Sequence, residues 1–191
     1  MAADKVKYGI KNAHYAVKTD TEGNTPAYAA PVPIPGSVSL TLEASGDTTP
    51  FFADNRQYFV TVKNNGYTGD FETALFPDKF LQDIFGYEIS TTDKVMTENA
   101  NSQPKEFALL FEEEGDMTGT KYVLYNCTCT RPSRNLATTT ETTEPQTQTT
   151  SITASPLADG RTMSYTTGDT PTAVLESWYE QVWLADITAG G

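Results

Sequence analysis

Between Tyr58 and Gly86 three local signals fall within one short span, and together they restrict what the chain can fold into. Tyr58-Phe59-Val60-Thr61-Val62-Lys63 is rich in aromatic and β-branched residues and reads as a strand, and residues 68–75 read as another. Asn64-Asn65-Gly66-Tyr67 lies between them, and an Asn-Gly step supplies the positive φ angles that tight hairpins need, so the two strands are expected to pair. Next, Phe80, Leu81, Ile84 and Phe85 recur at helical spacing, with Pro77 placed to open the helix and Gly86 to close it. A hairpin followed by one short amphipathic helix is therefore the expected organising unit. It predicts architecture and names no chemistry.

A chain of 191 residues is expected to form a single domain with long arms or loops, large enough for a real core. Only 38% of residues are apolar, and Thr, Ser, Asn and Gly make up the difference, which favours strands, turns and loops over helices. The formal charge is −12, from 25 acidic and 13 basic residues. That balance argues against gripping nucleic acid by its phosphates, which needs clustered Lys and Arg. No window approaches the apolar run of about 20 residues that spans a membrane as a helix. Met1-Ala2-Ala3-Asp4-Lys5 lacks the pattern of a secretory signal, which predicts folding in a cytoplasm. Cys127 and Cys129 share one strand face, poorly placed to bridge each other, and are expected as reduced thiols.

Alternating apolar residues across 5–18, broken at Asn12, predict one bulged strand or two short ones. Residues 19–35 form a connecting loop, with Pro31, Pro33 and Pro35 keeping it extended but unpaired. Ser37-Val38-Ser39-Leu40-Thr41-Leu42-Glu43 alternates, with Val38, Leu40 and Leu42 expected to face inward. Residues 44–56 carry turn signals at Gly46-Asp47 and Pro50 and read as a loop bearing Phe51-Phe52, of which one is expected to pack and the other to meet a partner. Residues 87–105 read as mostly irregular. Phe107-Ala108-Leu109-Leu110-Phe111 is apolar on both faces and predicts a central strand covered on two sides, with residues 121–130 returning as its partner. The Thr-rich stretch 137–150 is expected as an extended arm or loop, followed by strands over 149–155 and 161–167. Thr170 and Pro171 start a second helix, with Thr170 as cap and Val174, Trp178 and Val182 as its apolar stripe. The sum is seven or eight strands with two short helices, a mainly β fold of sandwich or barrel type.

Motifs for catalysis are lacking. His14 is the single histidine, and a Ser-His-Asp or Cys-His site would have to use it. No Gly-x-Ser-x-Gly elbow and no phosphate loop occur, and one His with a Cys-x-Cys lacks the second ligand pair of a zinc site. Glu112-Glu113-Glu114 with Asp116 is the densest acidic group, but its spacing is not that of a calcium loop. A solvated hairpin tip is its plainest reading, and an acidic wall in an oligomer is the other. No enzyme activity, metal or cofactor is expected.

Several stretches, in this order and spacing, resemble the major tail protein family of long, non-contractile-tailed bacteriophages. They are Ser37-Val38-Ser39-Leu40-Thr41-Leu42-Glu43, Asn64-Asn65-Gly66-Tyr67-Thr68-Gly69, Phe107-Ala108-Leu109-Leu110-Phe111 and Val123-Leu124-Tyr125-Asn126-Cys127. Arg131-Pro132-Ser133, Ile152-Thr153-Ala154-Ser155-Pro156 and Gly168-Asp169-Thr170-Pro171 continue the series, so the resemblance runs from about Lys5 to Asp186. It implies a single tail-tube domain over 1–191, a β-sandwich or barrel with a flanking short helix and extended arms. Those arms would be an N-terminal strand and arm (1–35), an inter-subunit loop (44–56), a Thr-rich loop (131–150) and a C-terminal segment (168–191). It further implies homo-hexameric rings stacked into a virion tail tube and assembled in the host cytoplasm. Tape-measure and tail-end proteins would be partners, and genomic DNA would pass without specific binding; no membrane is involved.

Subunit contacts are expected at Phe51, Phe52, Asp54 and Arg56, and near the C-terminus at Trp178, Tyr179 and Trp183, because large aromatics dominate interface energetics. The chain's own core is the alternative for each, and is favoured for Trp178. Glu112, Glu113, Glu114 and Asp116 are the candidates for an acidic lumen wall. Six copies would carry six times −12, or −72, and lumen-facing charge would repel DNA phosphates so that the duplex slides. A secreted or cell-surface adhesin or pilin-like β-sandwich is the competing reading. It predicts a secretion signal and an anchoring motif.

Overall fold

The computed structural model describes residues 9–19, 26–115, 119–138 and 145–184. These form thirteen strands, four of them two residues long, and two helices, and the fold is mainly β. Nine strands make one antiparallel sheet. Its main path runs β2 (Ala27–Tyr28), β1 (Ile10–Thr19), β10 (Phe107–Glu113), β11 (Lys121–Cys129), β12 (Gln148–Ala154), β7 (Gly66–Thr73) and β4 (Ser37–Ser45). β3 (Val32–Pro33) also pairs β1, and β13 (Met163–Tyr165) pairs the first half of β11, whose second half pairs β12. The sheet curls until β4 contacts β1, the barrel-like form of the expected fold.

β10 is an interior strand of this sheet, and its residues are buried from Phe107 to Glu112, as two-sided coverage requires. Phe107, Leu109 and Phe111 join Tyr15, Leu124, Cys127, Ile152 and Phe71 in one core. Ala108 and Leu110 face the other way, with Ala16, Val123, Tyr125 and Trp178. Helix α1 (Asp78–Phe85) covers the first core, burying Phe80, Ile84 and Phe85. Phe80 meets Tyr15 edge-on at 5.0 Å and stacks on Phe76 at 5.0 Å. Gly86 ends the helix at φ +66°, its amide returning to the Gln82 carbonyl in an αL close, and the Tyr87 amide reaches the Leu81 carbonyl. The residues from helix α2 (Thr172–Ser177) to Leu184 cover the second core with Val174, Trp178 and Val182.

The pairing around Asn64-Asn65-Gly66 differs from the expected hairpin. β6 (Arg56–Val62) pairs β5 (Thr48–Ala53), whereas β7 lies between β4 and β12. The turn that reverses the chain is Asp54-Asn55, at φ +52° and +58°, the positive pair that a two-residue hairpin loop demands. β4–β7 and β5–β6 are thus two sections of one long hairpin. They are joined through a bend where Lys63 N–H donates to the Asp47 carbonyl and Asn65 N–H to the Ser45 carbonyl, each at 2.9 Å. Asn64 Oδ1 accepts from Gly66 N–H at 2.9 Å, so the Asn-Gly step forms an Asx turn at the bend instead of a hairpin tip.

Other local differences have similar causes. Residues 44–56 are mostly strand, not loop, because the ladder continues through the bend. Val32 and Pro33 pair with β1 through the Pro-rich connection expected to be unpaired. Leu40 and Leu42 pack on the core, but a bulge between Ser37 and Ser39 leaves Val38 half exposed. Thr170 Oγ1 accepts from Thr167 N–H instead of capping α2. Residues 5–8 of the expected first strand, 139–144 of the Thr-rich stretch and Asp116 lie outside the described residues.

Candidate assembly surface

The β5–β6 ribbon leaves the body of the sheet with both faces uncovered by the described residues. Phe51, Phe52, Tyr58, Phe59 and Val62 are between 60% and 74% exposed, beyond what scattered surface apolar residues amount to. Their placement follows from the ladder: Phe51 pairs Phe59 across the strands, and a register shift then sets Phe52 opposite Gln57. Neither Phe51 nor Phe52 packs beneath the ribbon, because among the described residues no second layer lies over it. Asp54 occupies the turn and Arg56 begins β6; both are exposed at the tip. Four of the sequence-proposed contact residues, Phe51, Phe52, Asp54 and Arg56, therefore gather on one projecting element. Tyr58, Phe59 and Val62 belong to the same surface. The aromatic and β-branched run marks them as strand residues, but nothing in it indicates which of them stay exposed.

The C-terminal aromatics sit differently. Trp178 is 3% exposed within the second core, and its indole N–H has no hydrogen-bond partner among the described residues. Tyr179 stacks on His14 with ring centroids 4.5 Å apart, and Lys121 Nζ lies 5.0 Å from its ring. Burial, then the nearby Glu112 carboxylate, hold the Tyr179 hydroxyl well above its ordinary pKa. Trp183 packs on the same core, and its carbonyl accepts from the Tyr125 hydroxyl at 3.0 Å. These residues fasten the C-terminal segment to its own sheet.

Of the acidic group, Glu112 is 8% exposed; it pairs with Lys11 at 3.1 Å and accepts from Asn12 Nδ2 at 3.0 Å. Glu113 accepts from the Tyr122 hydroxyl at 2.9 Å. Glu114 is exposed beside Gly9. An acidic wall built from this group would draw on Glu114 first, since Glu112 is committed to the inside.

Among the described residues no group of three or more His, Cys, Asp or Glu is placed to hold a metal, and no helix is long and apolar enough to cross a membrane. Cys127 and Cys129 are free and buried. Burial raises both thiols, Cys129 to about 12. His14 Nδ1 lies 2.8 Å from the Asn12 carbonyl oxygen, and its ring is engaged with Tyr179. No protein-family profile matches the chain, and no curated protein matches it either.

Proposed function

We propose that this chain is a structural subunit that polymerises with copies of itself. Its rings of six stack into the tail tube of a long, non-contractile bacteriophage tail, a conduit for DNA ejection. The observation that carries the reading is the β5–β6 ribbon, whose exposed aromatics have no cover among the described residues. A monomer gains nothing from holding these side chains in water. Burying one large apolar side chain is worth roughly 1.5–3 kcal/mol, so a neighbour that covers several gains a substantial part of an association free energy. A projecting element that meets a different surface of the next copy makes a head-to-tail contact, and such contacts close into rings or extend without limit. The ordered family-like stretches, from Ser37-Val38-Ser39-Leu40 to Gly168-Asp169-Thr170-Pro171, support the phage tail as the setting.

Negative-stain microscopy of the purified protein across a concentration series tests this. Stacked rings or hollow tubes are the expected result. Isolated particles at every concentration would overturn it in favour of a monomeric β module.

A further inference from the structure

A cleft of about 500 Å³ opens beside the C-terminal end of α1, lined by Phe85, Tyr87, Asn99, Ala100, Pro104 and Arg131 among others. That volume lies within the range of roughly 300–1,000 Å³ that takes compact apolar groups. Its floor is aromatic, since Phe85 and Tyr87 lie with ring centroids 6.3 Å apart. Its rim is basic for so acidic a protein. Arg131 is ion-paired with Glu98 yet its side chain is 67% exposed, and exposed Arg134 acts on the same carboxylate. Two arginines against one glutamate leave this rim locally positive on a chain of net charge −12.

The ribbon has the complementary chemistry. Residues 48–62 carry one acid, Asp54, and one base, Arg56, so the ribbon meets an acidic neighbour without net repulsion. Its exposed phenyl and phenol faces suit guanidinium groups, which stack on aromatic rings within about 6 Å. Asp54 at the tip can pair with an arginine of the rim, while Arg56 can pair with Glu98. Six strand residues at about 3.3 Å each carry the tip about 20 Å from the bend, enough to lie across a neighbouring subunit.

We infer that the β5–β6 ribbon of one copy docks into the α1-side cleft of a second copy, its aromatics over Phe85 and Tyr87 and under Arg131 and Arg134. This rests on the polymerisation proposed above and adds the receptor for the ribbon. The contact is head-to-tail, because donor and acceptor surfaces are different parts of the same chain.

The test uses two full-length chains, one with Gln57→Cys beside Phe52 and one with Ala100→Cys in the cleft, mixed under assembly conditions and mildly oxidised. Native Cys127 is fully buried, and Cys129, which lines the cleft, is replaced by Ala in both chains so that it offers no competing thiol. Disulfide-linked dimers are expected in the mixture, at least tenfold more than from either chain alone. A Thr167→Cys chain, which places the thiol at a separate cleft of about 300 Å³ near β13, serves as the control acceptor. Rings or tubes without the 57–100 cross-link, or with cross-linking preferentially to 167, would overturn the docking site and leave polymerisation standing. Neither assembly nor cross-linking would overturn both. In parallel, the double variant Arg131→Glu, Arg134→Glu is expected to weaken association at least tenfold with an unchanged melting temperature; unchanged association would also sink the docking site.

Discussion

A Cβ added to Gly66 would sit 1.9 Å from the carbonyl oxygen of Ala154, and Gly66 itself lies at φ +94°. The residue that opens β7 is therefore glycine for two reasons at once, a left-handed backbone and contact with the strand end opposite. This contact sets where β7 enters the sheet, because Tyr67 is registered against Ala154 on one side and Ala44 on the other. Gly66→Ala is expected to destabilise the fold by about 2–4 kcal/mol, read from the urea midpoint. Gly168→Ala is the contrast: nothing lies within 4 Å of its added Cβ, and the change should stay within about 0.5 kcal/mol. Equal effects at the two sites would refute this account of the bend.

The exposed ribbon separates assembly from folding. Replacing Phe51, Phe52 and Phe59 by Ser together removes apolar surface that the isolated chain leaves in water. Stability of the monomer should change by no more than about 1 kcal/mol, while ring or tube formation in sedimentation is lost. A large fall in monomer stability would show that these rings are covered within the chain.

Cys129 makes stability depend on alkaline pH. Its folded pKa of about 12 lies above its ordinary value of 9.0, so the folded state holds a proton that the unfolded state releases between those limits. The contribution is fully present below pH 9.0 and is lost as pH rises toward about 12, at up to about 1.4 kcal/mol per pH unit. Cys127 and the raised Tyr15 and Tyr28 hydroxyls act in the same direction. Urea midpoints measured from pH 8 to 11 should fall for the wild type and fall less steeply for Cys129→Ala. Both thiols should resist a thiol reagent at pH 8 until denaturant is added.

Glu114 carries the acidic-wall hypothesis, since Glu112 is buried and Glu113 is hydrogen-bonded to Tyr122. If the chain forms the proposed tail tube, virions built from the Glu114→Lys chain should eject DNA more slowly and with greater salt dependence, as each new cation toward DNA adds a phosphate contact. Ejection with unchanged kinetics would remove Glu114 from the wall.

The parts of the fold that were legible in sequence are those decided within a few residues. Phe80, Ile84 and Phe85 with Pro77 and Gly86 specify α1, because helix periodicity and its caps are local. The unbroken apolar run Phe107–Phe111 declares a strand covered on both faces, and Thr150, Ile152 and Ala154 mark the buried face of β12 by simple alternation. The candidate surface is half legible: Phe51-Phe52 stand out as adjacent aromatics, whereas Tyr58, Phe59 and Val62 read only as strand residues.

Only the tertiary structure decided which strands pair, and with that which aromatics remain in water. Asn64-Asn65-Gly66 supplies a turn of the correct backbone type, yet Asp54-Asn55 supplies one too, and local chemistry does not rank them. The choice is made by partners distant in sequence. β7 gains ladders to both β4 and β12 and buries Phe71 between them, while β6 pairs with β5 alone. Pairing is thus set by the summed burial and hydrogen bonding of the whole sheet, a quantity that no short window contains.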